Sequence, residues 1–357
     1  MNSAKHDHQL KRAEIIESSL GTILPHLDAA PLVGKRIFMT GATGFFGLWL
    51  LSALSQLNRQ GAGIGVTVLS RNPQRFLAAQ PQWADCSWLT FIGGNVRDFD
   101  FPKDQFDLLI HAATDTSSSA NANGLAIFDD IVIGTRHVLD FAVKSGVKRV
   151  LLASSGAVYG PQPPETSHIS EDASFACPSV VAASAYGEGK RVMELLGALY
   201  HREYDLEPII ARCFAFVGSG LPLDGHFAIG NFIRDALYAD AIHVNGDGAP
   251  LRSYLYGADL AVWLLHLLGS GKPCYPYNVG SDQAISIREL AFLVRQVLSQ
   301  EKQVFFQRQG VSEGDLRQQY IPSINRAKEG LGLDAWTSLE HAIKLTAAFS
   351  LKCMGEL

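Results

Sequence analysis

Lys35-Arg-Ile-Phe-Met-Thr40, Gly41-Ala-Thr-Gly-Phe-Phe-Gly47 and Leu48-Trp-Leu-Leu-Ser-Ala-Leu-Ser55 follow one another without a break. The first is a short apolar run, the second a glycine-rich turn, and the third has helical periodicity. The order is strand, tight turn, helix. Glycines in such a turn let the backbone approach a ligand with no Cβ in the way, while the free N–H groups of the first helical turn face a diphosphate. Gly41, Thr43, Gly44, Phe45, Phe46 and Gly47 are therefore candidate dinucleotide contacts.

Outward from this unit, Gly65–Leu69, Leu89–Ile92, Asp107–His111 and Lys148–Ala153 read as further strands, with helices over Asp130–Val143 and Tyr186–Tyr204. Short apolar runs alternating with helices predict a doubly wound, Rossmann-type parallel α/β sheet covered on both faces. We expect a helical extension over 1–34, a dinucleotide-binding domain over 35–217, and a smaller C-terminal α/β lobe over 218–357. That lobe is expected to return chain to the main sheet near 251–280. Ser286-Ile-Arg-Glu289 is a capping box opening a late helix, and a last helix is expected from Ser338.

The 357 residues are 47% hydrophobic and 18% charged, as in an ordinary globular enzyme. A net charge of −5, with no Lys/Arg cluster interleaved with aromatics, points to no nucleic acid and no anionic membrane surface. The longest apolar run, Leu260–Leu268, is too short to span a bilayer. The five cysteines are scattered without metal-ligand spacing, which argues against a zinc site or disulfide framework and for a cytoplasmic protein.

A second motif carries chemistry. Tyr186 and Lys190 stand four apart on a helix and share one face. A tyrosine has an ordinary pKa of about 10, and a cation beside it favours the phenolate. Such a phenol can take a proton from a carbinol as hydride leaves, and return it in reverse. Ser155, at a strand end, would orient the reacting oxygen.

The chain at this point resembles the extended short-chain dehydrogenase/reductase family, in its nucleotide-sugar epimerase, dehydratase and ketoreductase branch. The likeness runs from 35 to about 345 and rests on Thr40–Gly47, Gly94-Asn-Val-Arg-Asp98, His111-Ala-Ala113, Ser154-Ser-Gly-Ala-Val-Tyr-Gly160, Tyr186–Lys190, Gly246-Asp-Gly-Ala-Pro-Leu-Arg252 and Tyr277-Asn-Val-Gly-Ser281. The resemblance implies that Ser155 hydrogen-bonds the sugar oxygen, Tyr186 is the acid/base, and Lys190 serves both Tyr186 and the nicotinamide ribose. It also implies cofactor contacts from Asn95, Val96, Ala112 and Ala113, and nucleotide-sugar contacts from Asn231, Phe232 and Arg252. By the same likeness, the helices at 130–143 and 186–204 pair in a homodimer. His111 and His226 are expected to be ordinary polar or packing residues.

Departures from the family pattern narrow the reaction. The second strand ends in Ser70 and Arg71 instead of a carboxylate, so NADP is expected, with NAD as the alternative. Where the family's 4,6-dehydratases carry an Asp-Glu pair, this chain has Gly156 and Ala157, which cannot move a proton. Cys177 is expected to be an inert loop residue. Ile131 and Ala215 replace family asparagines, which implies a smaller polar network at the substrate. The expected activity is 4-ketoreduction of a nucleotide-activated (deoxy)hexose. The alternative is 4-epimerisation with recycled cofactor. A non-catalytic dinucleotide sensor on this fold would be expected to lack the Tyr/Lys pair, which is present.

Overall fold

A computed structural model of the protein describes residues 2–114, 123–225, 227–307 and 318–351, with side chains from Lys11 onward. Helix α1 (Asn2–Ile23) precedes β1 (Arg36–Thr40), α2 (Phe45–Arg59), β2 (Gly65–Ser70), α3 (Pro73–Ala79), β3 (Leu89–Gly93) and β4 (Leu108–His111). Then come α4 (Gly124–Ser145), β5 (Arg149–Ser155), α5 (Ala185–Tyr204), β6 (Glu207–Cys213) and the short β7 (Phe216–Val217).

Among the described residues, the main sheet has seven parallel strands in the order β11-β6-β5-β4-β1-β2-β3, where β11 is Tyr277–Val279. The strands are apolar because helices cover both faces: Ile37, Phe38 and Met39 of β1, and every residue of β4, are buried. Chain direction across the sheet reverses at β1, which lies between β4 and β2, and a ligand crevice opens at the carboxyl ends of strands at such a point.

The remaining elements are α6 (Ala228–Tyr238), β8 (Ala241–Asn245), β9 (Leu251–Arg252), β10 (Leu255–Tyr256), α7 (Gly257–Ser270), β12 (Ile285–Ser286), α8 (Ile287–Leu298), β13 (Gln303–Gln307), β14 (Gln319–Tyr320), α9 (Asn325–Leu331) and α10 (Leu339–Ser350). Of these, β12, β9 and β14 form a small sheet, β13 pairs with β8, and β10 pairs with β7. The Ser286/Glu289 capping box closes reciprocally at the start of α8, and Ser338 caps α10. Arg252 and Tyr320 are paired across β9 and β14, which brings the two lobe residues to one edge of the crevice.

Helix α1 is part of this body. Its apolar stripe buries Ile16, Leu20 and Ile23, each of which contributes up to about 1.5–3 kcal/mol by leaving water. A buried hydrogen bond between Ser19 Oγ and Tyr256 Oη, 2.9 Å, fixes its register. No described helix is long and apolar enough to cross a membrane.

Candidate active site

The glycine turn works by close approach. Gly41 has φ +79°, and a Cβ there would lie 2.4 Å from the Ala112 carbonyl carbon. The turn therefore tucks against the end of β4 only with glycine at 41. A Cβ at Gly47 would sit 1.9 Å from the Ala42 carbonyl oxygen, so this glycine lets α2 pack under the turn. Gly47 is buried beneath the turn. Gly44 differs: a Cβ would meet nothing nearer than the Gly41 carbonyl oxygen at 3.8 Å. The fold itself does not require glycine at 44, whereas a diphosphate lying over the start of α2 would.

A single cleft of about 2050 Å³ joins this turn to the lobe. Into it face Gly41, Thr43, Gly44, Phe45, Phe46, Ser70, Arg71, Asn95, Val96, Ala112 and Ala113 from the dinucleotide side. Ser155, Tyr186 and Lys190 line its middle, and Asn231, Phe232 and Arg252 its lobe side. Ser70 Oγ accepts the Asn72 N–H at 3.2 Å and so shapes the bend that presents Arg71. Asn95 Oδ1 accepts the Arg97 N–H at 3.1 Å. The volume and the open face of Gly44 fit an extended dinucleotide.

Strand β5 and helix α5 bring the three chemical groups together. Ser155 ends β5 and its Oγ accepts the Ala157 N–H at 3.1 Å, which leaves the hydroxyl proton available to a substrate oxygen. Tyr186 lies in the first turn of α5, and Lys190 Nζ stands 5.8 Å from the centre of its ring. Lys190 is buried and donates to the Ala153 carbonyl at 2.7 Å and to Thr114 Oγ1 at 3.0 Å. Burial lowers its pKa to about 8, against opposing pulls from Cys213 and Glu194. The ammonium is thus held at the end of β5, beside the phenol.

Other residues find structural roles. His111 is fully buried between Thr40 Oγ1 (2.9 Å) and Thr135 Oγ1 (3.1 Å), and burial lowers its pKa to about 3. It is a neutral brace, not an acid or base. Cys177 is buried, and its thiol donates to the Ala157 carbonyl at 3.0 Å. Ile131 is core, packed on Gly189 behind the Tyr186–Lys190 turn, while Ala215 faces the cleft. His226 lies outside the described residues.

The sequence reading missed Thr114, Phe214 and Tyr320. Thr114 follows the His111-Ala-Ala113 motif directly, and that proximity was the available signal. Tyr320 had none. A Cβ at Gly156 would lie 2.7 Å from Tyr320 Oη and 2.7 Å from Phe214 Cζ, so these two rings occupy the room a side chain at 156 would need.

Residues 37–280 match the model of the NAD dependent epimerase/dehydratase family. The chain belongs to that family. It is an enzyme of the extended short-chain dehydrogenase/reductase type. Family members similar to it include UDP-glucuronic acid decarboxylase 6 of Arabidopsis thaliana, 28% identical over 313 residues, covering 87% of each chain. UDP-glucuronic acid decarboxylase 1 of Danio rerio is 28% identical over 319 residues, covering 88% of this chain and 72% of that one. Among solved structures, the UDP-glucose 4-epimerase of Thermotoga maritima superposes with a TM-score of 0.74 at 23% identity, covering 88% of this chain and 98% of that one. The dTDP-glucose 4,6-dehydratase of Bacillus anthracis gives 0.72 at 18% identity, covering 88% and 96%. These superpositions speak to the fold that epimerase/dehydratase family members share.

Proposed function

We propose that the protein is an NADP-dependent oxidoreductase acting on the C4 carbinol or ketone of a nucleotide-activated hexose, working as a 4-ketoreductase. The observation that carries the reading is the convergence of Ser155, Tyr186 and Lys190 in the middle of one cleft, between the glycine turn and the lobe. Ser155 donates its hydroxyl hydrogen bond to the reacting oxygen and orients it. Tyr186 moves the proton on that oxygen, and the Lys190 ammonium stabilises the phenolate. The nicotinamide, when bound, supplies or accepts the hydride.

The wall beside Ser155 includes Ala157, Phe214, Ala215 and the Tyr320 phenol. The apolar members, Ala157, Phe214 and Ala215, support a C6 methyl group at this wall, and the Tyr320 phenol offers it one polar contact. Gly156 and Ala157 themselves add no acid/base group of the kind an elimination of water would use, which supports plain reduction over dehydration. Arg71 at the end of β2 supports NADP over NAD, since a guanidinium can bind a 2′-phosphate bidentately. Leu125 and Ile133 on α4 and Leu195 and Leu199 on α5 are exposed, which supports a homodimer joined through these two helices.

Incubation with a panel of nucleotide 4-keto-6-deoxyhexoses and either cofactor tests the reading. Stoichiometric NADPH consumption is expected. Interconversion of two sugars with no net change in cofactor would instead make the enzyme an epimerase.

A further inference from the structure

A buried polar chain runs behind the catalytic groups. Glu194 lies one helical turn beyond Lys190 on α5, and its side chain is 16% exposed. Its Oε1 accepts Ser154 Oγ at 2.5 Å and Arg212 Nε at 3.0 Å, while Oε2 accepts Arg212 Nη2 at 2.7 Å. This is a two-pronged carboxylate–guanidinium pair, with directional as well as electrostatic content. Arg212, on β6, also donates through Nη1 to Tyr159 Oη at 2.8 Å and to the Glu171 carbonyl at 3.1 Å. Tyr159 in turn donates to Asn278 Oδ1 at 2.8 Å, and the Asn278 N–H reaches Glu171 Oε1 at 3.0 Å.

Ser154 and Tyr159 bracket the segment that carries Ser155. One end is tied to Glu194 and the other to Arg212. Glu194 belongs to the helix that carries Tyr186 and Lys190. Strand β6, which carries Arg212, is paired with β5 so that Cys213 stands opposite Ser155. We infer that the Glu194–Arg212 pair is the positioning unit that sets the Ser155 segment against Tyr186 and Lys190. The inference rests on reading those three residues as the reacting centre, but its physical content is separate.

The pair also bears on the lysine's charge. Lys190 faces Tyr186 and Glu194 on its own helix, Cys213 from β6, and His111 from β4. Helix α4 presents Thr135, bound to His111, and Asp130, paired with Arg97 at 3.2 Å. Cys213 is held as a thiol, its pKa raised by burial to about 12, and His111 is neutral. Glu194 is thus the carboxylate on Lys190's own helix that opposes the effect of burial on the ammonium.

The test is a titration of the Lys190 side chain by NMR in the full chain with ¹³C-labelled lysine, its signal identified by its absence in K190R. In Glu194→Gln the Lys190 midpoint is expected to move to lower pH. With a sugar that the parent turns over, kcat is expected to fall about 10-fold or more while KM stays within about threefold, as for a misplaced reacting group. Arg212→Lys should retain more activity than Arg212→Met. If Glu194→Gln does not fold, Ser154→Ala, which removes one hydroxyl, should lower kcat without raising KM. A folded Glu194→Gln with the parent's Lys190 midpoint, or a Ser154→Ala with the parent's kcat, overturns the inference. A parent that turns over no sugar defeats the proposed function, and the backbone amide signals of residues 154–159 then decide the positioning role: they shift in Glu194→Gln if the pair sets that segment, and unchanged signals overturn the inference.

Discussion

The two ends of the cleft are built in opposite ways. The dinucleotide end comes chiefly from one continuous stretch, β1, the glycine turn and α2, and the neighbouring strand ends add single residues. The sugar end is assembled from the end of β5, the first turns of α5, the residues after β6, and β14, separated by long stretches of chain. In the first, local backbone geometry does the work and glycine is the informative residue. In the second, side chains from distant elements converge, and a tie such as Glu194–Arg212 is needed to hold them in register.

The largest expected effect lies at the sugar end. Tyr186→Phe should lower kcat by about 10²–10⁴-fold while leaving the cofactor dissociation constant near the parent's, as steady-state kinetics and a binding titration would show. A large loss of cofactor affinity would mean that the two ends are not separable. At the dinucleotide end, Gly47→Ala should unfold the protein or sharply lower its melting temperature, because the new Cβ meets the Ala42 carbonyl. Gly44→Ala should leave the melting temperature within a degree or two of the parent's, since the site is open, yet weaken cofactor binding. Equal destabilisation by both would break the distinction between a packing glycine and a ligand-facing one.

Arg71→Ala should weaken NADPH binding by about 10- to 100-fold, the equivalent of losing charge-assisted hydrogen bonds of about 1.5–3 kcal/mol, and leave NADH nearly untouched. Equal affinity of the parent for the two cofactors would remove the argument for NADP. The smallest effect is in pH dependence. Lys190 has its pKa lowered to about 8 by burial, so kcat should fall as pH rises through about 8 and the ammonium is lost. Its linkage to stability has the opposite sign. The unfolded chain binds the lysine proton more tightly, so this group's contribution to folding rises between about pH 8 and the ordinary lysine value of 10.5. Kinetics and chemical denaturation across that range should separate the two trends.

The same contrast explains what could be read from residues alone. Strand–turn–helix periodicity and the capping signals at Ser286 and Ser338 are local, and they survive intact in the structure. Tyr186 and Lys190 were legible because a four-residue helical spacing keeps them on one face. The packing need at Gly47 could not be read, because a glycine required by packing and one required by a ligand look alike in sequence, and only the Ala42 carbonyl reveals the former. Tyr320 was invisible because its place at Gly156 is set by the pairing of β14 with β9, a contact between segments far apart in the chain. That Phe214 and the Tyr320 phenol fill the room beside Gly156 was invisible for the same reason.

In the proposed reaction the nicotinamide would supply the hydride to a sugar carbon and Tyr186 the proton to its oxygen, with Ser155 orienting that oxygen and Lys190 stabilising the phenolate. Following NADPH absorbance and product mass together, for the parent and Tyr186→Phe with a nucleotide 4-keto-6-deoxyhexose, tests it most directly. One NADPH is expected to be consumed per reduced sugar formed by the parent and almost none by the variant. A variant that matches the parent, or a parent that converts the sugar with no net NADPH consumed, would contradict it.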